Sequence, residues 1–417
     1  MSKFARQSRE ALFLGRVDRP GRRRWVRGQA DALPAADEAV LSGGGQAPHL
    51  LTIAPNGAGR DRSCVLPNLL NYAGQAVVFD VGGKAYAATA AARRAMGQLV
   101  MRLDPFGVTG PESHTYSPFD WIDPKDMSVF ASDCLEIAEL LSSGNSYGNV
   151  GERAATALVG AVLGYLYAVP EKQWDDLYST LHSDDVVYTL AVVLDTIGKK
   201  IHPTSYTEIA SFLERDDRIR SRILTTATSM IKDLGSPEVQ KTLHDSEFDF
   251  PSQPAITVYV ILPAEQLALH AALARLWIGF LLLRTARAAE KPALPVLFLL
   301  DHCAELSPFP LIEGVLAAVP AGSLRIWTFW DDVQQLRAAC PRRWPAVIAG
   351  AGAVQVFGTI DPEAAEEVAA VLGLPADQIR SLGPGDQIVR LDGAAPRRVR
   401  RLDARDGSSR PLAAADA

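Results

Sequence analysis

Cysteine is scarce in this chain of 417 residues, which contains only four. Cys64, Cys134, Cys303 and Cys340 lie far apart and form no C-x-x-C pair. This spacing argues against both a zinc site and a disulfide framework, and it is typical of a protein from a reducing compartment. We therefore expect a cytoplasmic protein.

Long apolar runs and a secretory leader are also lacking. The two most apolar stretches, ALVGAVLGYLYAV and LARLWIGFLLLRTARA, are shorter than the roughly 20 residues that span a bilayer. The second also carries Arg275 and Arg284. Charges run through the opening MSKFARQSREALFLGRVDR, where a signal peptide would be apolar. We interpret both stretches as buried helices and predict no direct membrane span.

An excess of positive charge is absent as well. The formal net charge of -6 and the pI near 5.7 argue against a uniformly basic nucleic-acid coat. For the basic runs RPGRRRWVR and APRRVRRLDAR we favour solvated surface, with contact to phosphates as the alternative. With 48% hydrophobic and 22% charged residues, the composition is that of an ordinary globular protein.

Apolar runs of strand length alternate with helical segments in two parts of the chain. The first part holds HLLTIAP, QAVVFDV and QLVMRLDPF, and the second holds AITVYVIL, LPVLFLLD, LRIWTFW and AVQVFGT. This alternation predicts an α/β fold with a mostly parallel sheet. From about Ser128 to His244 the spacing is helical throughout, which predicts an inserted all-helical domain.

These patterns divide the chain into four predicted parts. Residues 1–46 form a basic, flexible N-terminal arm, and residues 401–417 form a disordered tail. Residues 47–127 and 245–400 together form the α/β domain, which closes with an edge hairpin in GDQIVRLDGAAPRRVRRL. Residues 128–244 form the helical insertion.

A glycine-rich turn follows the first strand of this α/β domain, in LTIAPNGAGRDRS. It approaches the phosphate-binding pattern G-x-x-x-x-G-K-[ST], with arginine at the lysine position. The glycines permit a left-handed backbone, and the helix that follows favours an anion at its N-terminus. An ordinary strand-to-helix turn is the alternative explanation. The predicted cradle comprises Asn56, Gly57, Ala58, Gly59, Arg60, Asp61, Arg62 and Ser63.

A second candidate element is PVLFLLDHCAEL, an apolar strand that ends in Asp301. Nucleotide hydrolases hold Mg²⁺ through an acidic residue at this place, and the next position usually carries a glutamate that orients water. Here that next residue is His302. Histidine can act as a base because its unperturbed pKa is about 6.5, but a neutral polar residue at a strand end is the alternative.

The order of these pieces resembles the TraG/TraD-type coupling proteins of bacterial type IV secretion and conjugation. Their loop commonly reads A-P-T-G-S-G-K-G-V-S followed by P-N-L-L, and APNGAGRDRSCVLPNLL keeps most of it. VVFDVGGKAY, HTYSPFDWI, HDSEFDF, LDHCAEL and WDDVQQL resemble further family motifs, from about His49 to Gly373. The resemblance implies a RecA-like P-loop fold that forms hexameric ATPases, with an inserted all-helical domain.

The resemblance also implies cofactors and roles. ATP and Mg²⁺ would bind the glycine-rich loop, with Asp301 holding the metal through water. WDDVQQL corresponds to the segment that senses the nucleotide, so the implied catalytic set is Asp301, His302 and Gln335. Family members usually begin with two transmembrane helices, which this sequence does not show, so we expect partners to recruit it to the inner membrane.

The departures from the family pattern concentrate in the site. Arg60 replaces lysine, His302 replaces glutamate and Asp331 replaces the first sensing glutamine, while Gly82 and Lys84 replace the lysine and glutamate of the second motif. In the family these positions touch nucleotide, metal or attacking water. Losing several together should slow hydrolysis by orders of magnitude. Whether the protein is an enzyme therefore stays open.

Three functions follow from these observations. The first is a coupling-protein-like component of type IV secretion or conjugative transfer, which recruits substrate or regulates transfer and hydrolyses ATP weakly or not at all. Its partners would be components of that system, the transferred protein or relaxase-DNA complex, and further subunits of an oligomer. The second is an active hexameric ATPase motor that moves DNA or protein, with His302 or Glu305 orienting water. The third is a stand-alone phosphate- or nucleotide-binding protein.

Overall fold

A computed structural model describes residues 10–17, 39–41, 48–142, 150–253, 255–318, 322–358 and 361–404. Within these ranges eleven strands form one sheet. They are β1 (Phe13–Arg16), β2 (Ala39–Leu41), β3 (His49–Ile53), β4 (Ala76–Val81), β5 (Leu99–Leu103), β6 (Ile256–Leu262), β7 (Val296–Leu300), β8 (Leu324–Trp330), β9 (Ala351–Phe357), β10 (Asp386–Leu391) and β11 (Arg397–Arg400).

The strand order in the sheet is β2-β1-β11-β10-β9-β3-β8-β7-β4-β6-β5. The strands from β9 to β5 are parallel, and β10, β11, β1 and β2 add to one side by antiparallel pairing. The predicted α/β fold with a mostly parallel sheet is therefore confirmed. β10 and β11 form the predicted hairpin, but β1 and β2 continue the sheet beyond it, so the hairpin is not at the edge.

Helices cover both faces of the sheet and form the insertion. In the described ranges they are α1 (Leu66–Leu69), α2 (Lys84–Ala95), α3 (Phe130–Leu141), α4 (Val150–Leu166), α5 (Trp174–Leu181), α6 (Val186–Ile197), α7 (Pro203–Leu213), α8 (Asp217–Met230), α9 (Pro237–Thr242), α10 (Ala271–Arg287), α11 (Pro310–Ala318), α12 (Val333–Ala339), α13 (Trp344–Ala349), α14 (Pro362–Leu372) and α15 (Ala376–Arg380).

The parallel strands are buried on both faces, as parallel sheets require. Along β4, Val77 and Phe79 belong to one apolar cluster, while Ala76 and Val78 belong to the cluster on the other face. The two apolar stretches of the sequence are the buried helices α4 and α10. Of the helices that the structure describes, none has the length and apolar character needed to cross a bilayer.

Between residues 128 and 244 the described residues form α3 to α9 and no strand. Arg275 of α10 connects this helical region to the sheet domain. Its guanidinium donates to the carbonyl oxygens of Leu140 (3.3 Å) and Ser142 (2.8 Å) at the end of α3. A cation at a helix C-terminus is favourable, because the helix dipole is negative there. The exact domain boundaries stay predictions.

Part of the predicted N-terminal arm is ordered on the sheet rather than flexible. β1 and β2 both fall within residues 1–46. The side chain of Asn68 accepts from the amide of Phe13 (2.7 Å) and donates to its carbonyl (2.9 Å), and Phe13 itself is buried. A tertiary contact 55 residues away in the chain thus orders β1. The rest of the arm and residues 405–417 of the predicted tail lie outside the described residues.

Candidate functional site

The glycine-rich turn leaves β3 at the carboxyl edge of the parallel strands, where ligands bind in open α/β sheets. The amide of Ala54 donates to the carbonyl of Trp330 (2.8 Å), which holds the end of β3 beside β8. Gly57 and Gly59 have φ values of 74° and 86°, in the left-handed region that glycine adopts without strain. We call residues 54–63 the phosphate loop.

Open space borders the phosphate loop, as a cradle for an anion requires. A Cβ built on Gly57 or Gly59 would meet no atom within 4 Å. A π-helical turn, Asp61–Val65, starts directly after the loop and runs into α1, and no side chain caps its N-terminus. Free amides at a helix N-terminus favour phosphate oxygens. The backbone of the predicted cradle is therefore present.

Arg60 does not extend into this open space. Only 6% of Arg60 is exposed, and its guanidinium forms two ion pairs with neighbouring strand ends. Nε lies 2.7 Å from Oδ1 of Asp301, at the end of β7, and Nη1 lies 2.6 Å from Oδ1 of Asp331, at the end of β8. Nη1 also lies 3.5 Å from the carbonyl oxygen of Ala54. The planar fork of arginine can bridge two carboxylates, which a lysine ammonium does less well.

Asp301 and His302 form the turn that follows β7. Burial raises the pKa of Asp301, and the Arg60 cation opposes that rise. His302 has a φ of 51°, which is uncommon outside glycine and often marks a functional turn. Its amide donates to Asp301 Oδ1 (2.8 Å), and its Nδ1 lies 3.5 Å from Nη2 of Arg60. The imidazole of His302 therefore lies next to the Arg60 cation.

Gln335 holds Asp331 in place for Arg60. The amide of Asp331 donates to Oε1 of Gln335 (2.9 Å), and Nε2 of Gln335 donates back to Oδ2 of Asp331 (3.1 Å). The neighbouring Asp332 caps α12 through the Gln335 amide (2.7 Å). We call Asp301, His302 and Asp331 the acidic wall. Through Arg60, this wall is joined directly to the phosphate loop.

A fourth strand end contributes Asp80, which follows Phe79 in β4. Its carboxylate accepts from the amides of Ala85 (3.0 Å) and Tyr86 (2.7 Å) and so caps α2. Burial is the main cause that raises the pKa of Asp80 to about 6; the two amide hydrogen bonds oppose the rise, and the nearby Asp61 and Asp301 contribute to it. Negative charge is thus concentrated around Arg60. Lys84, which stands at the glutamate position of the family motif, is exposed at the start of α2.

Arg401 contacts the phosphate loop from the C-terminal hairpin, and the sequence prediction missed it. Its Nη1 donates to the carbonyl of Ala58 (2.6 Å), and its guanidinium lies 4.3 Å from the ring centre of Phe357. Farther along, the amide of Ala404 donates to the carbonyl of Arg62 (2.9 Å). No local pattern could have indicated these contacts, because Arg401 and Ala58 are 343 residues apart.

The structure brings the predicted site residues together. Arg60 contacts Asp301 and His302 directly, and Gln335 is linked to it through Asp331, which the sequence identified as a departure without giving it a role. Glu305, the alternative base, is exposed on the turn after His302. Across the parts of the chain that the structure describes, no group of three or more His, Cys, Asp or Glu side chains is arranged to hold a metal. The catalytic and metal-binding roles stay predictions.

The chain resembles proteins of a known family. A family model described as Type IV secretory system Conjugative DNA transfer matches residues 6–383. The conjugal transfer protein TraG of Escherichia coli is 23% identical over 317 residues, which are 70% of this chain and 49% of TraG. VirD4 of Rhizobium radiobacter is 35% identical over 74 residues, or 18% of this chain and 11% of VirD4. The chain thus spans about half the length of TraG.

Solved structures with the same fold include plasmid coupling protein TrwB in complex with ADP and Mg²⁺. The TM-score is 0.71 at 14% identity, with 96% of each chain covered. An unbound form of TrwB gives a TM-score of 0.69 at 14% identity over 97% of this chain and 92% of TrwB. VirB4 of Thermoanaerobacter pseudethanolicus gives 0.54 at 11% identity over 94% and 96% of the two chains. The RecA-like P-loop fold expected from the sequence is confirmed.

Proposed function

Because the chain belongs to the Type IV secretory system Conjugative DNA transfer family, we propose that it serves as a coupling-protein component that hydrolyses ATP slowly or not at all. It recruits substrate to the secretion or conjugation apparatus, or regulates transfer there. The observation that carries this proposal is the position of Arg60, whose guanidinium is engaged by Asp301 and Asp331.

Arg60 and the acidic wall form a joint that needs no nucleotide. In P-loop hydrolases, the loop lysine and the strand-end acid meet through the nucleotide phosphates and Mg²⁺. Here the guanidinium contacts both carboxylates directly at 2.6 and 2.7 Å. Asp331 carries the charge that pairs with Arg60, whereas a glutamine at this position would be neutral. Such a joint supports a subunit whose conformation depends little on turnover.

The site fits a nucleotide in its backbone and less well in its side chains. Gly57 and Gly59 border open space, so the loop amides would hold phosphate oxygens, and Asp301 would hold Mg²⁺ through water. Bound Mg²⁺ and ATP would supply a polarised terminal phosphate for attack by water. Asp301 must first exchange its ion pair with Arg60, and His302 lacks the carboxylate that would orient water. Binding and slow turnover are therefore both consistent with the site.

Calorimetric titration with ATP and Mg²⁺, with phosphate release followed on the same sample, tests the proposal. We expect little or no phosphate release, and the same residual rate in Asp301→Ala. Binding without turnover would identify a nucleotide-sensing subunit, and no binding would identify a scaffold; both agree with the proposal. Rapid turnover that disappears in Asp301→Ala would contradict it and favour the ATPase motor.

A restored site provides the sharper test. Replacing Arg60, His302 and Asp331 with lysine, glutamate and glutamine returns the three family residues at once. Because a positioned base contributes roughly 10²- to 10⁴-fold to hydrolysis, we expect the triple variant to gain at least about 10²-fold in phosphate release. Asp301→Ala in the same background should abolish the gain. An inactive but folded triple variant would show that these three substitutions do not account for the slow rate.

We place substrate recruitment on the helical insertion. Its surface exposes apolar side chains, among them Tyr188 (68% exposed), Val192 (39%) and Tyr206 (41%). Exposed apolar groups that lie close together are typical of binding surfaces. In a pull-down from conjugating cells, replacing Tyr188 and Val192 with serine should release secretion or relaxase partners, while the exposed polar control Thr196→Ala on the same helix should retain them. A complete absence of such partners for the unmodified chain would favour the stand-alone binding protein.

A further inference from the structure

The C-terminal segment 401–404 is attached to the phosphate loop at two points. Arg401 Nη1 donates to the carbonyl of Ala58 (2.6 Å), and the amide of Ala404 donates to the carbonyl of Arg62 (2.9 Å). The two contacts lie on opposite sides of Arg60 in the sequence. The segment therefore holds both the glycine-rich turn and the first helical turn that follows it.

Arg401 is itself held firmly. Its amide donates to the carbonyl of Gly385 (2.8 Å), and its guanidinium lies over the ring of Phe357. It follows β11 directly, and β11 pairs with both β10 and β1. Leu402 and Ala404 are buried, with 7% and 8% of their surface exposed. The side chain thus reaches the loop from the end of a strand that is paired on both sides.

The hydrogen bond from Arg401 sets the direction of one peptide group in the loop. In a trans peptide the C=O and N–H bonds point to opposite sides. Holding the Ala58 carbonyl on the hairpin side therefore turns the Gly59 amide away from the hairpin. Among the residues with described positions, that amide meets no acceptor, and the surroundings of Gly59 are open. This donor is therefore open to solvent and to the oxygen atom of a bound ligand.

We infer that Arg401 is a positioning residue for phosphate binding: it holds the Gly59 amide toward a bound polyphosphate, so that segment 401–404 sets the affinity of the loop. The inference rests on the proposed function only in placing a nucleotide at this loop. Arg401 touches the loop carbonyl and not the reacting atoms, so its effect is on binding and not on the chemical step.

The test compares Arg401→Ala and Arg401→Lys with a control, Arg397→Ala, which removes an exposed arginine from β11, the strand that directly precedes Arg401. Each protein is titrated, in the presence of Mg²⁺, with two probes: ATP and inorganic tripolyphosphate. Tripolyphosphate serves as the second probe because it has no nucleoside. Hydrogen exchange of residues 56–66 is measured without ligand. We expect Arg401→Ala to lower the affinity for both probes about tenfold, since the loop loses a hydrogen bond from a charged donor.

Loop amides should also exchange faster in Arg401→Ala, and Arg401→Lys should recover part of both effects because it keeps a cationic donor. Arg397→Ala should match the unmodified protein in both measurements. If Arg401→Ala does not fold, the comparison of Arg401→Lys with Arg397→Ala decides, and an intermediate loss of affinity in the lysine variant is the expected result.

Three results would overturn the inference. Unchanged affinity or unchanged loop exchange in Arg401→Ala would remove the positioning role. A loss of affinity for ATP alone would place Arg401 at the nucleoside, beside Phe357, and not at the phosphates. Failure of the unmodified protein to bind either probe would refute the inference while leaving slow hydrolysis intact. Rapid ATP turnover together with a tenfold loss in Arg401→Ala would instead support the inference and contradict the proposed function.

Discussion

The phosphate loop and the acidic wall contact each other through Arg60, but they are built in different ways. The loop consists mainly of backbone: two glycines with positive φ, a turn and a free helix N-terminus. The wall consists of side chains at the ends of β7 and β8, where Asp301, His302 and Asp331 converge. The loop keeps the glycines of the family pattern but has Arg60 at the lysine position, and two of the three wall residues depart from the pattern.

The difference shows which features the fold itself requires. Positive φ at Gly57 and Gly59 carries the chain from β3 into its helix, and any other residue would strain that turn. The wall side chains project from strand ends and are free to change, provided that buried charge stays paired. Arg60 and Asp331 satisfy that condition together. The contrast between loop and wall leads to four predictions, taken from the largest expected effect to the smallest.

Removing the Arg60 guanidinium should break the two ion pairs between the phosphate loop and the acidic wall. In Arg60→Met, Asp301 and Asp331 lose their cation, and breaking a buried pair from one side costs about 3–5 kcal/mol in the free energy of unfolding. Chemical denaturation measures this loss. The exposed neighbour Arg62→Met should change the free energy by less than about 0.5 kcal/mol. A loss below about 1 kcal/mol in Arg60→Met would show that the ion pairs do not stabilise the fold.

Asp80, whose buried carboxyl is close enough to the wall residue Asp301 for their charges to interact, should affect the pH dependence of stability. Burial raises the pKa of Asp80 to about 6, above the unfolded value near 4. The folded state therefore holds an extra proton between about pH 4 and 6, so Asp80 lowers stability as pH rises through this window. Asp80→Asn removes this effect.

The difference in unfolding free energy between Asp80→Asn and the unmodified protein should shift in favour of Asp80→Asn by up to about 3 kcal/mol from pH 4 to pH 7.5. Each unit of pKa shift corresponds to about 1.4 kcal/mol. Denaturation at both pH values measures the gain. Identical slopes for the two proteins would mean that Asp80 does not titrate in this window.

Neutralising Asp331 should sharpen the assignment of Arg60 to the wall. Asp331→Asn keeps the shape and one acceptor but loses the charge, so we expect a loss of about 1–2 kcal/mol in unfolding free energy. In the Arg60→Met background the same substitution should be neutral or stabilising, since no cation remains. A double-mutant cycle with additive effects would contradict direct pairing.

A backbone substitution in the phosphate loop should weaken phosphate binding. Gly59→Ala places an alanine at a φ of 86°, and Gly97→Ala, after α2, does so at 85° with equally open surroundings. Both should lose roughly 1 kcal/mol of unfolding free energy, because a left-handed residue other than glycine costs about that much. Only Gly59→Ala should also lower the affinity for tripolyphosphate, as measured by calorimetric titration. Equal affinity in the two variants would mean that the loop does not bind phosphate.

Sequence reasoning identified the sheet domain because its strands are short apolar runs separated by helices, from HLLTIAP to AVQVFGT. It also located the loop and Asp301, because these follow strands directly. It did not predict that β1 is an ordered strand of the sheet, because Phe13 is held by hydrogen bonds to Asn68, which lies in another element. It did not identify the partners of Arg60, because they lie more than 240 residues away in the chain.

The sequence alone determined the α/β class, the helical insertion, the family and the position of the loop, because these depend on periodicity and on contiguous motifs. Only the tertiary structure decided where the charges meet. Arg60 reaches Asp301 and Asp331, and Arg401 reaches Ala58, because a parallel sheet brings strand ends that are distant in the chain to one edge. Ion pairs and backbone contacts between such ends carry no local pattern, so they appear only when the strands are assembled.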